Sequence, residues 1–223
     1  MLTASPLPLG VLASGRGSNL QAILDEIGSG RLAASVRVVV SDVGDAYALE
    51  RARQAGVPAV FVDPKGPGGK AGHEQRIVEV LREHGVELVV LAGYMRICGL
   101  ALLAAFPGRI LNIHPSLLPA FPGLHVQRQA LEYGARFSGC TVHFVDAGVD
   151  TGPIIAQAVV PVLDADTEDT LSARILRQEH RVYPHAIRLF AEGRLRLEGR
   201  RVLVDAPAPG SADLAIVHPP LPA

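Results

Sequence analysis

Tryptophan is absent from this sequence, and cysteine and methionine occur only twice each. Cys98 and Cys140 stand apart, with no C-x-x-C pair and no Cys/His cluster, which excludes a disulfide framework and a zinc site of ordinary spacing. A reducing, cytoplasmic setting suits such a chain. An excess of one charge is missing too: 21 Lys and Arg against 22 Asp and Glu leave a formal net charge of −1. No whole-molecule field therefore draws nucleic acid or an anionic membrane surface, and any anionic ligand has to be caught locally. No apolar run approaches the ~18 residues of a membrane span. The segment from Met1 to Leu12 lacks a basic stretch and is interrupted by Pro6 and Pro8, so the chain is expected to be soluble and unprocessed.

What is present points to an ordinary folded domain. The chain has 223 residues, 48% of them hydrophobic and 19% charged, which is too apolar for disorder. Short apolar runs at 10–13, 36–41, 59–62, 88–92 and 110–114 have no polar alternation, as strands covered on both faces should. Between them, helical spacing predicts helices at 19–27, 46–55, 73–84 and 100–106, most closed by Gly or Pro. Further along, helices are expected at 126–133 and 168–191, strands at 141–145 and 154–160, and a small hairpin at 195–205 around Gly199. This βαβ grammar predicts a single-domain α/β fold. Its sheet should be mostly parallel and twisted, with helices on both faces and a Rossmann-like N-terminal half. The domain is expected to span 1–205, leaving a tail at 206–223 with five prolines that is expected to be poorly ordered. Residues 63–72 concentrate Pro, Gly and Lys, and read as an exposed mobile loop or lid.

The first strand runs into Ser14-Gly15-Arg16-Gly17-Ser18-Asn19, just where a helix begins. Free backbone N–H groups and the helix dipole favour an anion there. A dinucleotide fingerprint would need glycine at the position of Leu20, and no Lys-Ser/Thr pair completes a nucleoside-triphosphate loop. A phosphomonoester is the better guest. The plain alternative is a tight turn capped by Ser18 or Asn19.

Asn112 and His114 are two apart on a strand, so their side chains leave the same face, and Pro115 ends that strand directly after. Ligands of open α/β sheets sit beyond such carboxyl ends. An amide donor for an oxyanion beside an imidazole that moves protons suits attack on a carbonyl. A buried polar pair satisfying backbone groups is the alternative. The run 115–123 carries three prolines and reads as a stiff loop. In the glycine-bearing loop after His143, Asp150 is the candidate acid to sit by His114. The alternative is an Asp150 that caps the turn Thr151-Gly152-Pro153. On the last helix, Glu179 falls on the apolar stripe of Leu171, Ile175, Val182, Ala186 and Phe190. It needs a cation, a ligand amine or ribose hydroxyls unless the helix turns it to solvent at Pro184.

Taken together, these motifs resemble the folate-dependent formyltransferases, and within them those acting on glycinamide ribonucleotide. The resemblance covers about residues 8–204 and rests on the glycine turn, Leu91-Ala92-Gly93-Tyr94-Met95-Arg96-Ile97, Asn112-Ile113-His114-Pro115-Ser116-Leu117-Leu118-Pro119, Phe121-Pro122-Gly123-Leu124-His125 and Asp150-Thr151-Gly152-Pro153. It implies transfer of a formyl group from the co-substrate 10-formyltetrahydrofolate to the amine of 5-phosphoribosylglycinamide, in de novo purine synthesis, without a metal. It further implies catalytic roles for Asn112, His114 and Asp150, a phosphate on Gly17, Ser18 and Asn19, and Glu179 on the ribonucleotide. Folate contacts map to Met95, Arg96, Ile97, Cys98, Asn112 and Asp146, with Lys70 where the family places an arginine on the glutamate tail. The implied partners are small molecules, without nucleic acid or membrane, for a monomer or homodimer. The alternatives are a formyltetrahydrofolate hydrolase, which usually adds an N-terminal regulatory domain, and a non-catalytic folate or phosphosugar binder.

Overall fold

The uninterrupted apolar runs become the centre of a seven-stranded sheet. The computed structural model describes residues 5–205, and the Pro-rich tail lies outside the described residues. In chain order the elements are β1 (Leu7–Leu12), α1 (Ser18–Gly28), β2 (Ala34–Ser41), α2 (Tyr47–Gln54), β3 (Ala59–Phe61), α3 (Gly69–Glu83), β4 (Leu88–Leu91) and α4 (Leu100–Ala105). They continue with β5 (Ile110–His114), α5 (Val126–Tyr133), β6 (Phe137–Phe144), β7 (Ile154–Pro161), α6 (Glu168–Ala191) and a hairpin of β8 (Leu195–Glu198) and β9 (Arg201–Val204). Among the described residues no helix is long and apolar enough to cross a membrane.

The strand order is β3-β2-β1-β4-β5-β6-β7. Pairings from β3 through β5 are parallel, while β6 and β7 are added antiparallel, so the sheet is mostly parallel as expected. The chain first winds outward from β1 to β3, then returns to lay β4 on the other side of β1. The carboxyl ends of β1 and β4 thus form the crevice where such sheets bind ligands. Leu20, Ile23, Leu171, Ile175 and Ile187 cover one sheet face, and Ile77, Leu81, Leu102 and Phe106 the other.

Two expectations about local structure are corrected. The strand expected at 10–13 starts earlier, at Leu7. The loop expected over 63–72 ends at Gly68, and Gly69 through Gly72 form the first turn of α3 instead. Glycine is a poor helix former, but tertiary contact overrides propensity here. A Cβ on Gly72 would stand 2.2 Å from the Pro67 carbonyl oxygen. Arg76 then staples the loop to the helix by donating to the carbonyls of Pro67 at 2.7 Å and Asp63 at 3.0 Å.

Tyr183 of α6 is fully buried, and its hydroxyl lies 2.9 Å from the carbonyl oxygens of both Leu91 on β4 and Leu111 on β5. Burial holds the phenol well above its ordinary pKa, so it remains a donor. It ties α6 to two neighbouring strands near the carboxyl end of β4. Tyr183→Phe is expected to destabilise the fold by about 1–3 kcal/mol, through buried carbonyls that lose a donor. Denaturant unfolding of the variant measures this, and an unchanged midpoint would contradict it.

Candidate active site

The glycine turn is built by close packing. Gly17 is the N-cap of α1 with φ 68°, and a Cβ there would lie 2.8 Å from Ala48 Cα and Cβ of α2. Only glycine meets both demands. No side chain caps α1, so the expected alternative of a Ser18 or Asn19 cap is not what the structure has. The N–H groups of the first turn therefore remain for an anion.

Asn19 instead turns its side chain inward, donating from Nδ2 to Glu179 Oε2 at 2.8 Å. Glu179 is 6% exposed, as its place on the apolar stripe of α6 implies, and is not rotated to solvent at Pro184. Its protein partner is a neutral amide, not the cation weighed from sequence. Burial pushes its carboxyl above the ordinary value, only partly offset by the Asn19 hydrogen bond. The Asn19 Oδ1 atom is buried without a partner among the described residues. The pair thus retains hydrogen-bonding capacity beside the glycine turn.

At the other end of the crevice, Asn112, His114 and Asp150 converge. Asp150 Oδ2 lies 3.3 Å from His114 Nδ1, and Oδ1 accepts from Asn112 Nδ2 at 3.4 Å. The stiff loop after β5 joins in: Gly123 N donates to Asp150 Oδ2 at 2.9 Å, and His114 Nε2 stands 2.9 Å from the Phe121 carbonyl oxygen. Both His114 nitrogens thus face acceptors, Nε2 the carbonyl and Nδ1 the acid. Asp150 adopts φ 54°, a left-handed conformation that a short acid tolerates. Burial pushes its carboxyl up, but the neighbouring His143 ring, the Gly123 N–H and the His114 charge outweigh that and hold it below the ordinary value. The turn-capping role weighed for Asp150 belongs to Asp146, which accepts from Gly148 N at 3.1 Å and Thr151 Oγ1 at 2.6 Å.

Five of the expected folate residues, Lys70, Met95, Arg96, Ile97 and Cys98, line one cleft of about 310 Å³ with Tyr94, Leu102 and others. Its apolar walls and size suit a flat heterocycle. Met95 and Ile97 are 67% and 55% exposed, an apolar surface that none of the described residues covers. Asn112 and Asp146 do not line this cleft. Asn112 is the register partner of Leu91, however, so it stands beside the strand from which the cleft's segment departs. Arg96 spends its guanidinium on Asp42 at 2.6 Å, and Asp42 also accepts from Ser14 Oγ at 2.6 Å. Ser14 Oγ in turn accepts from Met95 N at 2.9 Å, tying the glycine turn to the cleft. Burial pushes the Cys98 thiol up to about 12, which leaves it a neutral wall.

Four participants were not singled out from sequence. Asp42 and Tyr183 do the tying just described. Glu74 is buried on α3 and accepts from Gly99 N at 2.6 Å, fixing the start of α4. His143 on β6 faces Asn112 across the antiparallel pair.

With this geometry in place, comparison with known proteins is informative. Residues 9–187 match the model of the family described as Formyl transferase. The chain is 45% identical over 195 residues to phosphoribosylglycinamide formyltransferase of Escherichia coli, covering 87% of this chain and 92% of that one. To the protein of the same name from Bacillus subtilis it is 47% identical over 178 residues, with 80% and 91% covered. The crystal structure of glycinamide ribonucleotide transformylase 1 from Symbiobacterium toebii superposes with a TM-score of 0.89 at 59% identity, covering 91% of this chain and 95% of that one. One match thus spans the glycine turn, the cleft segment, the convergent trio and Glu179 together, and this chain belongs to the formyl transferase family.

Proposed function

We propose that this chain transfers the formyl group of 10-formyltetrahydrofolate to the amine of 5-phosphoribosylglycinamide, a step of purine biosynthesis. The observation that carries the reading is the convergence of Asn112 Nδ2 and His114 Nδ1 on the two oxygens of Asp150, at 3.4 and 3.3 Å. It stands at a strand end between a phosphate-binding turn and an apolar cleft.

The ribonucleotide phosphate lies on the first-turn N–H groups of Gly17, Ser18 and Asn19, and its ribose hydroxyls donate to Glu179. The formyl folate enters by the cleft of Met95, Arg96, Ile97 and Cys98, with Lys70 at its mouth for a carboxylate tail and the backbone of the Asp146 loop alongside. The amine attacks the formyl carbon, and the carbonyl electron pair moves to oxygen. Asn112 donates to that oxyanion, and the His114 imidazolium, held by Asp150, adds positive charge beside it. Collapse breaks the bond to the folate nitrogen. One proton leaves the attacking amine and one joins the departing nitrogen, so no net proton is consumed, and His114 with Asp150 is the titratable pair placed to carry it.

Glu179→Ala is expected to raise KM for the ribonucleotide roughly tenfold, the worth of about one charge-assisted hydrogen bond, and to leave KM for the folate nearly unchanged. Steady-state kinetics with each substrate varied in turn measure this, and equal changes in both would make Glu179 structural. The function itself is tested by following release of deformylated folate spectrophotometrically. Release should require the ribonucleotide; release at the same rate without it would mean hydrolysis, and none under either condition would mean a binding protein.

A further inference from the structure

His143 is 2% exposed, titratable and unused by the mechanism above. It is the cross-strand register partner of Asn112, so the two side chains stand directly opposite each other on the same sheet face. Its pairing with β7 shifts register between Val142 and His143, an irregularity of the kind that re-aims a side chain. His143 Nδ1 lies 2.7 Å from the Phe144 carbonyl oxygen. A carbonyl only accepts, so Nδ1 carries a hydrogen, and in the neutral form of the ring Nε2 is the nitrogen left as acceptor.

That lone pair decides how the neighbouring amide sits. Nε2 is 3.2 Å from Asn112 Nδ2 and 3.7 Å from Asp150 Oδ1, so the amide is the ring's nearer partner and the acid stands just behind it. An amide oxygen in that place would set lone pair against lone pair. We infer that His143 is a positioning residue, which as its Nδ1–H tautomer anchors one proton of the Asn112 amide and so keeps the amide nitrogen turned toward the reacting formyl group. The second amide proton faces Asp150 Oδ1 over a long contact of 3.4 Å. It is this loosely held proton that an oxyanion takes over. Without an acceptor at position 143, the amide is free to turn about its last bond and present oxygen, which repels the developing charge. The inference rests on the role given to Asn112 under the proposed function.

The test compares two substitutions at this position, each alone and in an Asn112→Ala background. H143Q restores an acceptor oxygen near the Nε2 position, and H143L removes it. H143L is expected to lower kcat about 100-fold with KM for both substrates within about twofold, and H143Q to stay within about tenfold of wild type, since loss of an oriented oxyanion donor acts on the transition state alone. In the Asn112→Ala background H143L should cost less than about twofold more, because residues acting through one another are not additive. Additive losses, or a folded H143Q as impaired as H143L, would overturn the inference. Should H143L fail to fold, the ¹⁵N spectrum of the wild-type ring decides, with a protonated Nδ1 and a bare Nε2 expected in the neutral form and the reverse tautomer contradicting it. Asn112→Ala with wild-type kcat would instead remove the underlying reading, whatever His143 does.

Discussion

Replacing Asn112 with alanine is expected to lower kcat by roughly 10²–10³, or about 3–4 kcal/mol of transition-state stabilisation, as loss of one preorganised oxyanion donor does. The fold should be retained, because Asn112 is half-buried in the middle of β5 while the residues that pack the sheet on either side of it, Leu111 and Ile113, are untouched. KM for either substrate should change little, since the oxyanion exists only after attack. Turnover and unfolding measured on the same preparation separate the two effects. Undiminished kcat would show that the oxyanion is held by other groups.

Asp150→Asn is the second large effect, expected to cut kcat by about 10²–10⁴, the range of general acid–base contributions. Asparagine keeps the left-handed backbone that position 150 adopts, at φ 54°, so the loop should persist. What it loses is the negative charge 3.3 Å from His114 Nδ1. The same charge has a pH signature. The native carboxyl is held below its ordinary value, so its contribution to stability is fully present above the unfolded value of ~3.9 and is lost as pH falls through the lower folded one. Acid unfolding of wild type should therefore include a component below about pH 4 that the Asn variant lacks. Identical acid profiles, or an Asn variant with wild-type turnover, would show that the His114–Asp150 contact has no such role.

How much of this was legible in the sequence depends on whether a signal was local. Asn112 and His114 share a face because strands have period two, and that reading needs no tertiary knowledge. Glu179 was legible as a charge on an apolar stripe in need of a cation, a ligand amine or ribose hydroxyls, but its protein partner, the Asn19 amide, comes from a helix 160 residues earlier and was not legible. Asp150 was legible as an acid in a glycine-bearing loop. That it meets His114 depends on the antiparallel turn of β6, which brings the loop back over β5. His143 gave no local sign, since a histidine inside an apolar strand reads as core, and its importance lies in its register opposite Asn112. Tyr183 was hidden likewise among the apolar residues of α6. The start of α3 was missed because glycine opposes a helix locally, while Arg76 ties the turn down through the Pro67 and Asp63 carbonyls.

The most direct test of the whole account is a crystal structure with the ribonucleotide and a formyl-folate analogue that cannot release its group. The phosphate should rest on the N–H groups of Ser18 and Asn19, and the analogue's carbonyl oxygen should lie about 3 Å from Asn112 Nδ2, with the acceptor amine on the opposite side of that carbon. A carbonyl oxygen bound away from both Asn112 and His114, or a phosphate seated elsewhere than the turn at Gly17, would contradict it.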